Sequence, residues 1–231
     1  MGKPAGRWYA RRRPRCLPGF FKSLGGRYKR IRRRTAARAD PVRYAHGVAQ
    51  LSQLEALAEA GELTLFYGDE SHVCQQGYVP YGWQFPGEDV FVPAQKGFRL
   101  NCWGLFSRDN RAHWATTSQN INAAFVRDRL EELSLQLAGP TVIVLDNASI
   151  HTANLIQQCR HRWAQRDLHL FFLPPYSPHL NIAETVWRQL KGGWLQPADY
   201  AQADQLAYAT NRCLANFGKA LTIKFSPFKS N

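Results

Sequence analysis

No run of about 18 consecutive apolar residues occurs in the chain, so a membrane-spanning helix is excluded. There is no C-x-x-C pair. The five cysteines, Cys16, Cys74, Cys102, Cys159 and Cys213, are odd in number and widely spaced. That argues against a zinc site and against a disulfide scaffold, and it makes a reducing cytoplasm the default compartment. The N-terminus lacks the apolar core of a secretion signal. It also lacks the serines of a transit peptide, with Ser23 alone in the first 34 residues. Acid is scarcest of all there: residues 1–43 hold one acid, Asp40, against 15 of the 30 Lys and Arg.

The net charge of +13 is therefore unevenly placed. Residues 1–43 carry +14, and the remaining 15 bases and 16 acids give −1. The chain reads as a basic arm, residues 1–40, joined to a nearly neutral globule, residues 41–228. Such an arm suits a polyanion, most commonly nucleic acid, with Arg30, Arg32, Arg33 and Arg34 as phosphate-contacting candidates. The alternative is a solvated tail. Residues 1–27 are rich in Gly and Pro without a period, and a poorly ordered, partly disordered arm is expected there.

The globule is 231 residues less this arm, enough for one substantial core. Asp40-Pro41 marks a helix start, and residues 42–60 carry Leu51, Leu54, Leu57 and Ala58 at helical spacing before Gly61. Residues 63–68 form a short apolar run ending in Asp69. Residues 71–97, dense in Gly, Pro and aromatics, read as a turn-rich excursion with a short strand near Val90–Val92. Residues 98–106 and 111–116, joined by Ser107-Arg108-Asp109-Asn110, read as a hairpin. The period then changes to helical over 121–137, with Val126, Leu130, Leu133 and Leu137 on one side. A buried strand is expected at 141–145, a helix at 152–166, a strand at 168–173 and a helix at 182–191 stopped by Gly192-Gly193. A last helix covers about 201–216. Helices joining apolar strands imply an α/β fold: a mixed sheet flanked by helices on both faces.

Two acids stand where apolar strands emerge. Asp69 follows Leu65-Phe66-Tyr67-Gly68, and Asp146 follows Val142-Ile143-Val144-Leu145. Ligands of open α/β sheets bind beyond the carboxyl ends of parallel strands. If the two strands are neighbours, their carboxylates meet, repel, and call for a cation of the hard kind, Mg²⁺ or Mn²⁺. A single such Asp could equally be a turn cap. Glu184 has a local explanation, because Asn181-Ile182-Ala183-Glu184 resembles a capping box. The stiff connector Leu173-Pro174-Pro175-Tyr176-Ser177-Pro178 before it aims that helix at a fixed place. Glu184, Arg188 and Lys191 would then share one helix face, suiting metal plus phosphate backbone; a plain Glu184–Arg188 surface pair is the alternative.

At these residues the chain resembles the mariner-like superfamily of DDE transposases, in the branch carried by bacterial insertion sequences. The matching strings are Gly68-Asp69-Glu70-Ser71-His72, Val79-Pro80-Tyr81-Gly82-Trp83 and Val144-Leu145-Asp146-Asn147-Ala148-Ser149-Ile150-His151. The longest is Leu173-Pro174-Pro175-Tyr176-Ser177-Pro178-His179-Leu180-Asn181, continuing through Ala183-Glu184-Thr185-Val186-Trp187 to Leu190-Lys191. Ile182-Ala183 departs from the usual Pro plus aliphatic residue without moving the acid. The resemblance covers roughly residues 40–228.

The resemblance implies a ribonuclease H-like fold, which the order of elements also fits. It implies Asp69, Asp146 and Glu184 as catalytic carboxylates holding two Mg²⁺ or Mn²⁺ ions. The implied reaction is strand cleavage at transposon ends and strand transfer into target DNA. Double-stranded DNA and a homodimer or larger assembly are the implied partners. Asn147 and His151 are further candidates, for touching phosphate or orienting a ligand, with a core or capping role for His151 equally open. Trp83 and Trp187 fit packing better than base stacking. Relatives carry a longer helix-turn-helix module before the catalytic domain, so the arm is expected to be a remnant of that module or its linker in a truncated copy. Two rivals remain: a DNA-binding but catalytically inactive copy, and a nuclease acting on RNA–DNA hybrids.

Overall fold

The computed structural model describes residues 40–75, 86 and 97–228. The basic arm and the short strand expected near Val90 lie outside the described residues, as does Trp83. Five strands form one sheet in the order β3-β2-β1-β4-β5. They are β1 (Thr64–Cys74), β2 (Arg99–Phe106), β3 (Ala112–Thr117), β4 (Thr141–Leu145) and β5 (Leu168–Phe172). β1, β4 and β5 run parallel, while β2 is antiparallel to both β1 and β3. This mixed order is the ribonuclease H-like arrangement that the succession of sequence periods pointed to.

Alternation along the strands sorts their side chains onto two faces. Leu65, Tyr67, Val142 and Val144 pack under the first helix, α1 (Pro41–Glu59), through Val48 and Leu51. Phe66, Leu105, Ile143 and Leu145 face the other way. They meet Val126, Leu130 and Leu133 of α2 (Ala123–Ser134). Ile156, Cys159 and Trp163, which join the same face, lie on α4 (Asn154–Ala164). α4 follows a single turn of helix, α3 (Ser149–Thr152). On the α1 side the antiparallel part of the sheet is covered by α5 (Ala183–Gln189) and α6 (Ala203–Asn216). There Val186, Trp187, Leu206 and Leu214 pack on Leu100, Cys102 and Phe106. Both faces are thus buried, which is why β4 reads as an unbroken apolar run.

Local signals set the element ends. Asp40 accepts a hydrogen bond from the Val42 amide at 3.0 Å and caps α1. Gly61, at φ 77°, closes it: Glu62 N–H reaches Leu57 O and Gly61 N–H reaches Ala58 O, the paired bonds of a left-handed stop. Asn122 caps α2 through the Phe125 amide, so this helix starts later than its apolar period suggests. Asn110 takes the left-handed conformation, φ 64°, in the β2–β3 turn.

Three expectations are corrected. The strand that was to end at Asp69 continues to Cys74, because β2 pairs with it from Tyr67 to Cys74 after its parallel partner has ended. Residues 71–74 are therefore strand rather than turn. The helix of 182–191 begins at Ala183 and does not stop at Gly192-Gly193; Leu190–Trp194 widens into a π-helical turn. Finally, the helix expected from 152 breaks at Ala153 into α3 and α4.

Candidate active site

Parallel pairing of β1 with β4 runs from Thr64↔Thr141 to Tyr67↔Val144. Two residues further along that register Asp69 stands opposite Asp146. The condition set by the sequence, that the two strands be neighbours, is met, and the acids lie just past the last paired residues. Glu184 joins them from the first turn of α5. Asp69, Asp146, Asn147 and Glu184 line one cavity of about 430 Å³, together with Leu173, the turn through Pro178, and Asn181.

The connector positions Glu184 in a way the sequence did not show. Asn181 does not form a capping box with it. Its amide nitrogen donates to Gly68 O at 2.9 Å, and its side-chain oxygen accepts from the Ala183 amide at 3.0 Å. Asn181 thereby pins the start of α5 to the residue preceding Asp69. The Glu184 carboxylate is exposed and has no hydrogen bond or ion pair among the described residues. The surface pair with Arg188 is absent as well, since Arg188 instead reaches Thr185 Oγ1 at 3.3 Å. Arg188 and Lys191 do not line the cavity. The helix widens from Leu190, and the charge of Lys191 is felt at His72 and Cys102.

The electrostatics are those of acids forced together. The Asp69 carboxyl is pushed from 3.8 up to about 7, first by burial and then by the negative charges of Glu184, Glu70 and Asp146; the Glu70 amide, 2.9 Å away, opposes this only in part. Asp146 is held below its ordinary value, chiefly by its hydrogen bond with His151 and against its own desolvation. Burial works to lower the pKa of His151, but hydrogen bonds to Asp146 and Glu70 overcome it and raise the imidazole to about 9. His151 is fully buried, with Nδ1 2.8 Å from Asp146 Oδ1 and Nε2 2.6 Å from Glu70 Oε1. It is therefore neither a loose cap nor an apolar core residue but a bridge between carboxylates.

Asn147 donates its side-chain amide to Leu173 O at 2.6 Å, which joins the ends of β4 and β5 and leaves that nitrogen engaged. Trp187 packs edge-on against Phe106 with ring centroids 5.0 Å apart, as a core residue. Tyr176 stands on the cavity rim at φ 60°, a conformation uncommon for a residue with a side chain, and its ring is exposed. Arg30, Arg32, Arg33 and Arg34 lie outside the described residues. Glu70 was missed as a site residue: an acid in mid-strand has no local signature, and its partner is 81 positions away. Only its place in the string Gly68-Asp69-Glu70 could have flagged it.

Among the described residues no three His, Cys, Asp or Glu side chains are gathered around one point where an ion would sit. The donors nevertheless suit a hard divalent cation. Asp69 and Asp146 each have Oδ1 hydrogen-bonded and Oδ2 without a partner among the described residues, and Glu184 is untethered with rotatable bonds to spare. Burial is the largest cause of the raised Asp69, and the repulsion from Glu184, Glu70 and Asp146 that adds to it is what such a cation would cancel.

A ribonuclease H-like sheet that brings an acid within β1 and an acid just past β4 to one cavity defines a class of metal-dependent nucleases and polynucleotide transferases. Residues 64–207 match the model of the DDE superfamily endonucleases, and the chain belongs to that family. No curated protein matches it in sequence. Among solved structures it is similar to the Mos1 transposase paired-end complex with left transposon end, at 14% identity and TM-score 0.48, covering 88% of this chain and 70% of that one. It is also similar to the catalytic domain of Mos1 mariner transposase, at 12% identity and TM-score 0.41, covering 80% and 98%. The catalytic core domain of BIV integrase follows at 15% identity and TM-score 0.38, covering 66% and 81%.

Proposed function

We propose that this chain is the catalytic domain of a DNA transposase, of the kind carried by bacterial insertion sequences, which cuts DNA at transposon ends and joins those ends to target DNA. The observation that carries the reading is the cavity lined by Asp69, Asp146 and Glu184 together, with Asp69 driven up to about 7 by burial and by its neighbours' charge.

Asp69, Asp146 and Glu184 would hold Mg²⁺ or Mn²⁺, two ions in the full site. When bound, the ions supply Lewis-acid stabilisation of the attacking and leaving oxygens in an in-line displacement at phosphorus. The protein's part is geometric. Strand register sets Asp69 against Asp146, and Asn181 sets the start of α5 against Gly68. The carboxylates also orient the nucleophile, which is water for cleavage and a DNA 3′-hydroxyl for strand transfer. No covalent link between protein and DNA is required, so no Ser or Tyr nucleophile is assigned. Arg30, Arg32, Arg33 and Arg34 would grip the phosphate backbone, with Arg188 and Lys191 contributing outside the cavity. Work on two ends at once calls for a dimer or larger assembly on DNA.

Substrate choice tests the reading. The purified chain, given Mg²⁺ or Mn²⁺, is expected to cut duplex DNA carrying transposon ends in preference to an RNA–DNA hybrid of the same sequence. Preference for the hybrid would replace the transposase reading with a hybrid nuclease. Salt-sensitive DNA binding with no cleavage under either metal would replace it with an inactive DNA-binding copy.

A further inference from the structure

Asp146 stands beyond the end of β4, with 53% of its side chain exposed and no ladder partner to hold it. A carboxylate so placed would be expected to turn freely, yet one of its oxygens is fixed twice. Oδ1 accepts from the Ala148 amide at 2.9 Å and faces His151 Nδ1 at 2.8 Å. His151 has no freedom of its own, being fully buried with Nε2 2.6 Å from Glu70 Oε1. Glu70 is held within β1, paired with Trp103 of β2.

We propose that Glu70 and His151 form a positioning relay that fixes Asp146 with Oδ2 turned to the cavity, ready to take a divalent cation. This rests on the carboxylate-site reading above. Glu70 is not a fourth ligand. Successive strand residues point to opposite faces, so Glu70 faces away from Asp69, and it does not line the cavity. Its backbone amide also binds Asp69 Oδ1 at 2.9 Å. One residue therefore registers both acids, Asp69 through its main chain and Asp146 through His151. Outer partners of this kind set the orientation of a metal ligand, and their loss typically weakens metal binding about 10–100-fold.

The test is direct Mn²⁺ binding to the purified chain without DNA, read by the paramagnetic resonance signal of free Mn²⁺. Wild type, Asp146→Ala, Glu70→Ala, Glu70→Gln and His151→Ala would be compared, alongside the KM for DNA at saturating Mn²⁺. Glu70→Ala is expected to weaken Mn²⁺ binding about 10-fold or more with KM unchanged. Glu70→Gln should stay near wild type, because its amide oxygen still accepts from Nε2. His151→Ala should resemble Glu70→Ala; if burial of that site prevents folding, the Glu70 pair decides alone. Unchanged binding by Glu70→Ala overturns the relay. Loss in Glu70→Gln as severe as in Asp146→Ala overturns it too, by making Glu70 a ligand. Absence of Mn²⁺ binding by the wild type removes the carboxylate site itself, a different failure.

Discussion

Burial beside three other acids makes Asp69 a liability to the empty fold. Its carboxyl titrates at about 7 when folded against 3.8 ordinarily, so between these values the folded chain binds the extra proton. Stability is then greatest at low pH and falls as pH rises through about 7, with the full cost, on the order of a few kcal/mol, carried above it. A cation bound only by the folded, ionised site reverses this. Thermal unfolding should show Mg²⁺ raising the Tm strongly at pH 8 and hardly at pH 5. Asp69→Asn should raise the metal-free Tm at pH 8 and remove most of the Mg²⁺ gain. Equal Mg²⁺ effects at both pH values would show that the ion does not bind at Asp69. His151 shifts stability in the same direction, in a higher pH window. Raised to about 9, it stabilises fully below its unfolded value near 6.5, and that contribution is lost as pH climbs through 9.

At the scale of elements, the core packs directly against Gly68 on the face of β1. A methyl group there would come within 2.6 Å of Leu145 Cδ2 and 2.9 Å of Leu105 Cδ2, and its carbonyl also carries the Asn181 tie. Gly68→Ala should cost about 1–3 kcal/mol in urea unfolding, and it should reduce cleavage more than that loss of folded protein explains, because Asp69 moves with it. An unaltered midpoint would mean that the leucines yield freely. The strands were legible because β4 and the start of β1 are apolar and β-branched or aromatic, and because turn residues bound the hairpin. The continuation of β1 was not legible: residues 69–72 carry polar side chains, and only the later-arriving β2 makes them strand. Asp69 and Asp146 could be read from where apolar runs end, although only Asp146 stands at a true strand end. Glu184 came from resemblance, since its local spacing imitates a capping box that it does not form with Asn181. Glu70 and His151 matter through a contact between distant segments that no local pattern records.

On the scale of the whole molecule, charge divides the labour. The arm concentrates positive charge, while the globule beyond it is nearly neutral overall. Such a concentration of positive charge suits a polyanion. Replacing Arg30, Arg32, Arg33 and Arg34 together by Ala should weaken duplex DNA binding uniformly across sequences. The slope of log K against log salt should fall by roughly 3–4, as each phosphate contact contributes about 0.9. An unchanged slope would show that the arm is a solvated tail and that affinity resides elsewhere.

The claim on which the rest depends is that Asp69, Asp146 and Glu184 work as one metal-dependent centre on DNA. The most direct measurement is nicking of supercoiled plasmid by purified wild type and Asp146→Ala with Mg²⁺, Mn²⁺ or chelator. Relaxed circles should accumulate with wild type and either metal, and they should be absent with chelator and with Asp146→Ala. Nicking by Asp146→Ala at the wild-type rate would contradict the assignment of the site.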